Sequence, residues 1–322
     1  MKTSPSSAVK IAIASGKGGT GKTTLAVNLA VALGRQRSAV EEEQTGGQDF
    51  TDSREAMDGK VAVGLLDCDV EEPNCHLYLK PQFAADQTVN VLIPQVDEEA
   101  CTGCGLCARV CEFNALLALP AVPLLLPELC HACGVCAYVC PNKAISEVER
   151  PVGQVGAGTV EGLYFRFGAL NVGEARATPV IRAVKDLSGA PALDTVILDA
   201  PPGVACPAVE TMRGADYVLL VTEPTPFGLH DLELAVEATR ELGLPFGVVI
   251  NRAGVGDSRV SDFCRTQNIP VLLEIPDDRQ IAEACSRGQV FSATNKQFAH
   301  KLCALVSRVQ AEIGIATTSG GR

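Results

Sequence analysis

Eight consecutive residues, Gly16-Lys17-Gly18-Gly19-Thr20-Gly21-Lys22-Thr23, constrain this chain more than any other part of it. They fit the spacing G-x4-G-K-T and lie between a short aliphatic run, residues 9–15, and a helical stretch, residues 22–34. Glycines let a backbone curl until successive N–H groups converge, and the following helix N-terminus adds partial positive charge at the same point. Such a concave ring of donors binds phosphate. In that geometry Lys22 reaches the β- and γ-phosphates of a nucleotide, and the Thr23 hydroxyl ligates Mg2+. The expected nucleotide-binding residues are Gly16, Gly18, Gly19, Thr20, Gly21, Lys22, Thr23 and Thr24.

The rest of the chain predicts an α/β fold around that loop. Further strands are expected at residues 61–67, 195–199, 217–222, 246–251 and 271–275. Helices are expected at 179–185, 229–242, 258–267, 279–286 and 295–313, so the sheet should be mostly parallel and flanked by helices. A low aromatic content of 4%, with no Trp, suits aliphatic parallel strands. Two of these strands run into carboxylates. Val196-Ile197-Leu198-Asp199 places Asp199 to hold Mg2+ through water, and Leu65-Leu66-Asp67-Cys68-Asp69 supplies a second acidic station. Between helix and strand, residues 36–60 lose the hydrophobic pattern and carry a run of acids at 41–58. This segment reads as a flexible excursion without assigned function.

Fourteen cysteines set the other constraint, because eight of them fall between Cys101 and Cys140. No signal peptide or membrane span is legible, which points to the cytoplasm, where clustered cysteines indicate metal rather than disulfides. The net charge of −11 argues against nucleic-acid binding. The spacing Cys101-x2-Cys104-x2-Cys107-x3-Cys111 recurs as Cys130-x2-Cys133-x2-Cys136-x3-Cys140-Pro141. A pair of zinc sites is the rival reading, but the interleaved spacing favours iron–sulfur. Of the other six cysteines, most are expected to be buried, Cys206 included, and His131 is expected at the surface.

These motifs carry a resemblance. KGGTGKTT resembles the deviant Walker A loop of the MinD/ParA/nitrogenase-iron-protein superfamily, and Asp199-Ala200-Pro201-Pro202-Gly203 resembles its switch II. The cysteine repeat resembles bacterial two-cluster ferredoxins. Essentially the whole chain resembles MinD-superfamily P-loop ATPases with an inserted ferredoxin domain, in the broad nucleotide-binding class named after cobyrinic acid a,c-diamide synthase, though without an amidotransferase module. The resemblance implies an ATP-bridged dimer, with itself or with a related ATPase, in which Lys17 contacts the partner's phosphates. It further implies that residues 65–69 are switch I, in which Asp69 orients the attacking water with Asp67 nearer the metal, and that Gly203 senses the γ-phosphate. Asn251 and Arg252 would meet the base, with residues 276–278 nearby. Two 4Fe–4S clusters follow, one on Cys101, Cys104, Cys107 and Cys140, the other on Cys130, Cys133, Cys136 and Cys111. Glu112 stands where the second half has Pro141, which should leave the Cys111 cluster more open to solvent.

The expected domain plan is an ATPase core over residues 1–80 and 160–322, interrupted by a ferredoxin-like insert over 90–150. Because the insert follows switch I, movement of that switch is expected to reposition the clusters. The favoured function is an ATPase whose nucleotide state gates low-potential electron transfer to a redox partner. The alternative is an ATP-dependent scaffold or carrier that assembles clusters or delivers them to an accepting protein. A third reading is a ParA-like positioning ATPase with sensor clusters.

Overall fold

Aliphatic strands buried on both faces form the centre of the molecule, a computed structural model that describes residues 8–45, 62–160 and 162–319. In chain order the strands are β1 (Val9–Ala14), β2 (Val63–Asp67), β3 (Gln82–Val96), β4 (Leu116–Leu117), β5 (Leu124–Leu125), β6 (Ile145–Val160), β7 (Leu163–Leu170), β8 (Thr195–Asp199), β9 (Tyr217–Thr222), β10 (Phe246–Ala253) and β11 (Val271–Pro276). The helices are α1 (Lys22–Thr45), α2 (Cys75–Leu79), α3 (Leu106–Arg109), α4 (Val135–Val139), α5 (Ala177–Lys185), α6 (Cys206–Met212), α7 (Pro226–Glu241), α8 (Arg259–Thr266), α9 (Arg279–Ser286), α10 (Phe291–Thr294) and α11 (Lys296–Ser319). Helix α1 continues past residue 34 to Thr45, where the hydrophobic pattern had suggested an irregular segment. The remainder of that acidic stretch, residues 46–61, lies outside the described residues.

One sheet has the order β11-β10-β9-β1-β8-β2-β7-β6-β3. Its first seven strands are parallel, as the alternation of strands and helices predicts. Along β1, Ile11 and Ile13 face one apolar layer while Ala12 and Ala14 face the other, so helices cover both sides. Local chemistry sets helix starts: the Thr225 hydroxyl accepts from Gly228 N–H at 3.0 Å to cap α7, and Asp278 accepts from Gln280 N–H at 2.8 Å to cap α9.

The last two strands, β6 and β3, are antiparallel and pair from Gln82↔Thr159 to Val96↔Ile145. Only Gly153–Val160 of β6 pairs with β7, so the remainder of the hairpin leaves the sheet as a two-stranded ribbon. Eight residues of ribbon extend about 26 Å. The register shifts at Val89/Asn90, where the ribbon departs, and such a bulge bends a strand. At its tip sits the cysteine module, whose small core is built on Cys107, Leu116 and Ile145. The module is therefore carried on an edge ribbon rather than hung directly from the switch strand β2.

Candidate functional site

Register brings the nucleotide site together. Strands β1, β8 and β2 run side by side with Ile13 opposite Asp199 and Asp199 opposite Asp67, so the loop after β1 meets both acids at one sheet end. Gly16 has no room for a side chain, since a Cβ there would fall 1.9 Å from the Asp231 backbone oxygen of α7. The Ser15 hydroxyl donates to Lys17 O at 2.5 Å, and Lys22 Nζ approaches the same oxygen at 3.5 Å. Burial lowers the Lys22 pKa, and the charges of Asp199 and Asp69 oppose that shift.

Asp67 and Asp199 are completely buried. Asp67 Oδ1 accepts from Asp69 N–H at 3.2 Å, and its Oδ2 accepts from Asn74 and Cys75 N–H, both at 3.0 Å. Asp199 Oδ2 accepts from the Cys75 thiol at 3.5 Å, and the Thr23 side chain also hydrogen-bonds this acid. Burial pushes both carboxyls above the ordinary carboxylate range, and at Asp67 the neighbouring Asp199 charge adds to the shift. Asp69 is also raised, chiefly by burial. Asp199 Oδ1 and Thr20 Oγ1 are buried without a hydrogen-bond partner. Two sealed acids, one with an unpartnered oxygen, and a Thr23 side chain bonded to Asp199 suit Mg2+, so the residues present fit a Mg-nucleotide.

The other expected residues surround that centre. Gly203 adopts φ +88° and donates its N–H to Ser15 O at 3.0 Å, so in this state it bonds the loop. Lys17 Nζ lies 3.7 Å from Glu223 Oε2, and Arg252 Nη1 lies 2.9 Å from the other oxygen of the same buried acid. Asn251 Nδ2 donates to Thr20 O at 2.8 Å. A solvent-open cavity beside the loop is lined by Gly19, Thr24, Asn251, Arg252, Asp277 and Cys285.

The cysteine module contains two small solvent-open cavities. Cys101, Cys104, Cys107 and Cys140 line one, and Cys111, Cys130, Cys133 and Cys136 line the other. The halves match in detail: Ala144 N–H points to Cys140 Sγ and Ala115 N–H to Cys111 Sγ, each at 3.3 Å. Pro141 lines the first cavity, while Phe113 lines the second and stacks on the exposed His131 with ring centroids 3.6 Å apart. Four sulfurs around each cavity suit iron–sulfur chemistry. Of the cysteines outside the module, Cys68, Cys75, Cys264 and Cys303 are buried, but Cys206 is exposed, contrary to expectation, because it begins α6 on the solvent side.

A link between module and core was not visible in the sequence. Arg176 Nη1 donates to Cys130 O, while its Nε and Nη2 hold Glu174 at 2.6 and 2.8 Å. Arg150 adds a further bond to Glu174 at 2.8 Å. These hydrogen bonds hold the Glu174 carboxyl down to about 2.

Comparison with known proteins identifies both parts of the chain. The family described as "CobQ/CobB/MinD/ParA nucleotide binding domain" matches residues 11–41, and "4Fe-4S binding domain" matches residues 94–117 and 124–146. An uncharacterized protein of Methanocaldococcus jannaschii is 30% identical over 270 residues, spanning 83% of this chain and 86% of that one. The chain belongs to the MinD/ParA-type P-loop ATPases that carry a ferredoxin domain. The iron-sulfur cluster carrier protein of Rickettsia typhi is 32% identical to this ATPase over 99 residues, 30% of this chain and 31% of its own. Among solved structures, the septum site-determining protein MinD of Pyrococcus horikoshii with Mg-ADP superposes with a TM-score of 0.54 at 21% identity, covering 96% and 98% of the two chains. That likeness shows the P-loop fold. No described helix of the ATPase is long and apolar enough to cross a membrane.

Proposed function

We propose that this ATPase is a nucleotide-driven carrier of iron–sulfur clusters, holding one 4Fe–4S cluster on each cysteine tetrad and delivering it to an accepting protein. The observation that carries this reading is the exposure of Cys104 in one tetrad and Cys133 in the other. An acceptor thiolate can replace a solvent-facing ligand first, whereas a permanent electron wire gains from burying all four. The resemblance of the nucleotide-binding region to proteins named iron-sulfur cluster carriers supports the same direction. Electron transfer, the function favoured from sequence, has less support than delivery.

In this reading Lys22 and the loop amides hold the phosphates, Asn251 and Arg252 border the base, and Asp69 orients the attacking water. Lys17 leaves Glu223 to reach the nucleotide of a partner subunit. Mg2+, held by Thr23 and Asp199 with Asp67 behind, would offset the phosphate charge. The nucleotide state reaches the module through α5. Helix α6 starts directly after switch II, and Lys185 at one end of α5 donates to the carbonyls of Thr211, in α6, at 3.1 Å and of Arg213, just after it, at 2.7 Å. At the other end of α5, Arg176 bonds Cys130 O. A shift of switch II would thus move the loop of the second tetrad.

The test is anaerobic transfer from the cluster-loaded protein to an apo-ferredoxin with ATP or ADP. ATP should accelerate transfer, and Arg176→Ala should remove that acceleration for about half the iron while hydrolysis continues. Clusters that stay bound, with a reduction potential that follows the nucleotide, would restore the electron-transfer reading.

A further inference from the structure

Cys75 occupies a place in the ATPase centre that neither the nucleotide loop nor the cysteine module accounts for. It is fully buried and stands outside both cysteine tetrads. Its N–H donates to Asp67 Oδ2 at 3.0 Å, and its thiol donates to Asp199 Oδ2 at 3.5 Å. One ligand atom from each of Asp67, Cys75 and Asp199 lies within 4.8 Å of the others. A single residue of the switch I segment thereby ties together the acids that end β2 and β8.

We infer that Cys75 is a positioning residue for the cation: its thiol proton occupies one oxygen of Asp199 and so turns the other, unpartnered oxygen toward Mg2+. A buried carboxylate with two free oxygens can rotate about its last bond, and only a donor on one oxygen fixes which faces the metal. Asp199 Oδ1 is the oxygen left without a partner in the sealed pocket, and Thr23 also bonds this acid. Because Cys75 begins α2 directly after Asp69-Val70-Glu71-Glu72-Pro73-Asn74, any displacement of switch I withdraws the thiol from Asp199. The metal ligand then loses its orientation when the switch moves. This inference rests on the Mg-nucleotide part of the proposed function and is independent of cluster delivery.

The experiment measures Mn2+ binding to the ADP-bound protein from the electron paramagnetic resonance signal of free Mn2+, alongside ADP affinity without metal. Cys75→Ala should weaken Mn2+ binding about fivefold, in line with loss of one hydrogen bond from a weak thiol donor, while metal-free ADP affinity is unchanged. Cys75→Ser, which keeps a donor, should bind Mn2+ within about twofold of the native protein. Equal Mn2+ affinity in Cys75→Ala and the native protein would overturn the inference. So would a serine variant as weak as the alanine one with the native melting temperature. Asp199→Asn separates the two levels: if it too binds Mn2+ normally, the cation site itself has been misassigned.

Discussion

Buried acids govern how this protein responds to pH at the level of single residues. Asp67 and Asp199 have no exposed surface and face one another across paired strands, so ionising both inside the core costs free energy. Their folded pKa values lie above the unfolded ones, so the native chain binds more protons than the unfolded chain. Stability without a cation is therefore complete below the ordinary carboxylate range and falls as pH rises through the raised values. Melting temperature without nucleotide should drop between about pH 5 and pH 8, and Asp67→Asn should flatten that slope. Thermal melts across the pH series check it, and an unchanged slope would mean that Asp67 is already ionised at low pH. Glu174 behaves oppositely. Its carboxyl is held down to about 2 by Arg176, so its contribution persists throughout this range.

Elements decide how the module is attached. Strands β3 and β6 leave the sheet together, and Val96 pairs with Ile145 where the module begins and ends. Two chain ends already adjacent across a ladder can be joined by a tight turn. Replacing residues 97–144 with Asn-Gly should therefore yield a folded ATPase that still gains thermal stability from Mg-ADP, with no bound iron. Calorimetry with and without Mg-ADP tests this, and loss of cooperative unfolding would show that the ribbon needs its tip. Helix α5 packs close to β7 and to the inner end of this hairpin because Gly168 of β7 and Gly153 of β6 leave space: a Cβ at either would lie 2.7 Å from Val180. The same close packing keeps Arg176 within reach of Cys130.

The whole molecule raises the question of what Lys17 does. In the single chain it rests 3.7 Å from Glu223, a buried acid that also holds Arg252. If a second subunit's phosphates draw it away, assembly and turnover share one residue. Lys17→Ala should then lose ATP-dependent dimer formation and reduce turnover by about a hundredfold or more, with iron content unchanged. Sedimentation with ATP, together with phosphate release and iron analysis, gives the readout. Normal turnover in this variant would remove the case for a lysine acting across an interface.

Local chemistry determined much of this protein from the sequence alone. The glycine-lysine loop, the aliphatic strands ending in Asp67 and Asp199, and the repeated cysteine spacing each act over a few residues, so each is legible wherever it stands in the chain. The parallel core and the 4Fe–4S motifs follow from them. Strands β3, β6 and β7 escaped prediction because polar positions, together with glycines in β6 and β7, dilute the alternation, and their pairing partner rather than their propensity makes them strands. Tertiary structure alone decided the long-range contacts: Cys75 meets Asp199 across 124 positions, and Arg176 meets Cys130 across 46. A thiol or guanidinium has no periodic signature, and its partner is chosen by the sheet order and the helix packing that bring distant segments together.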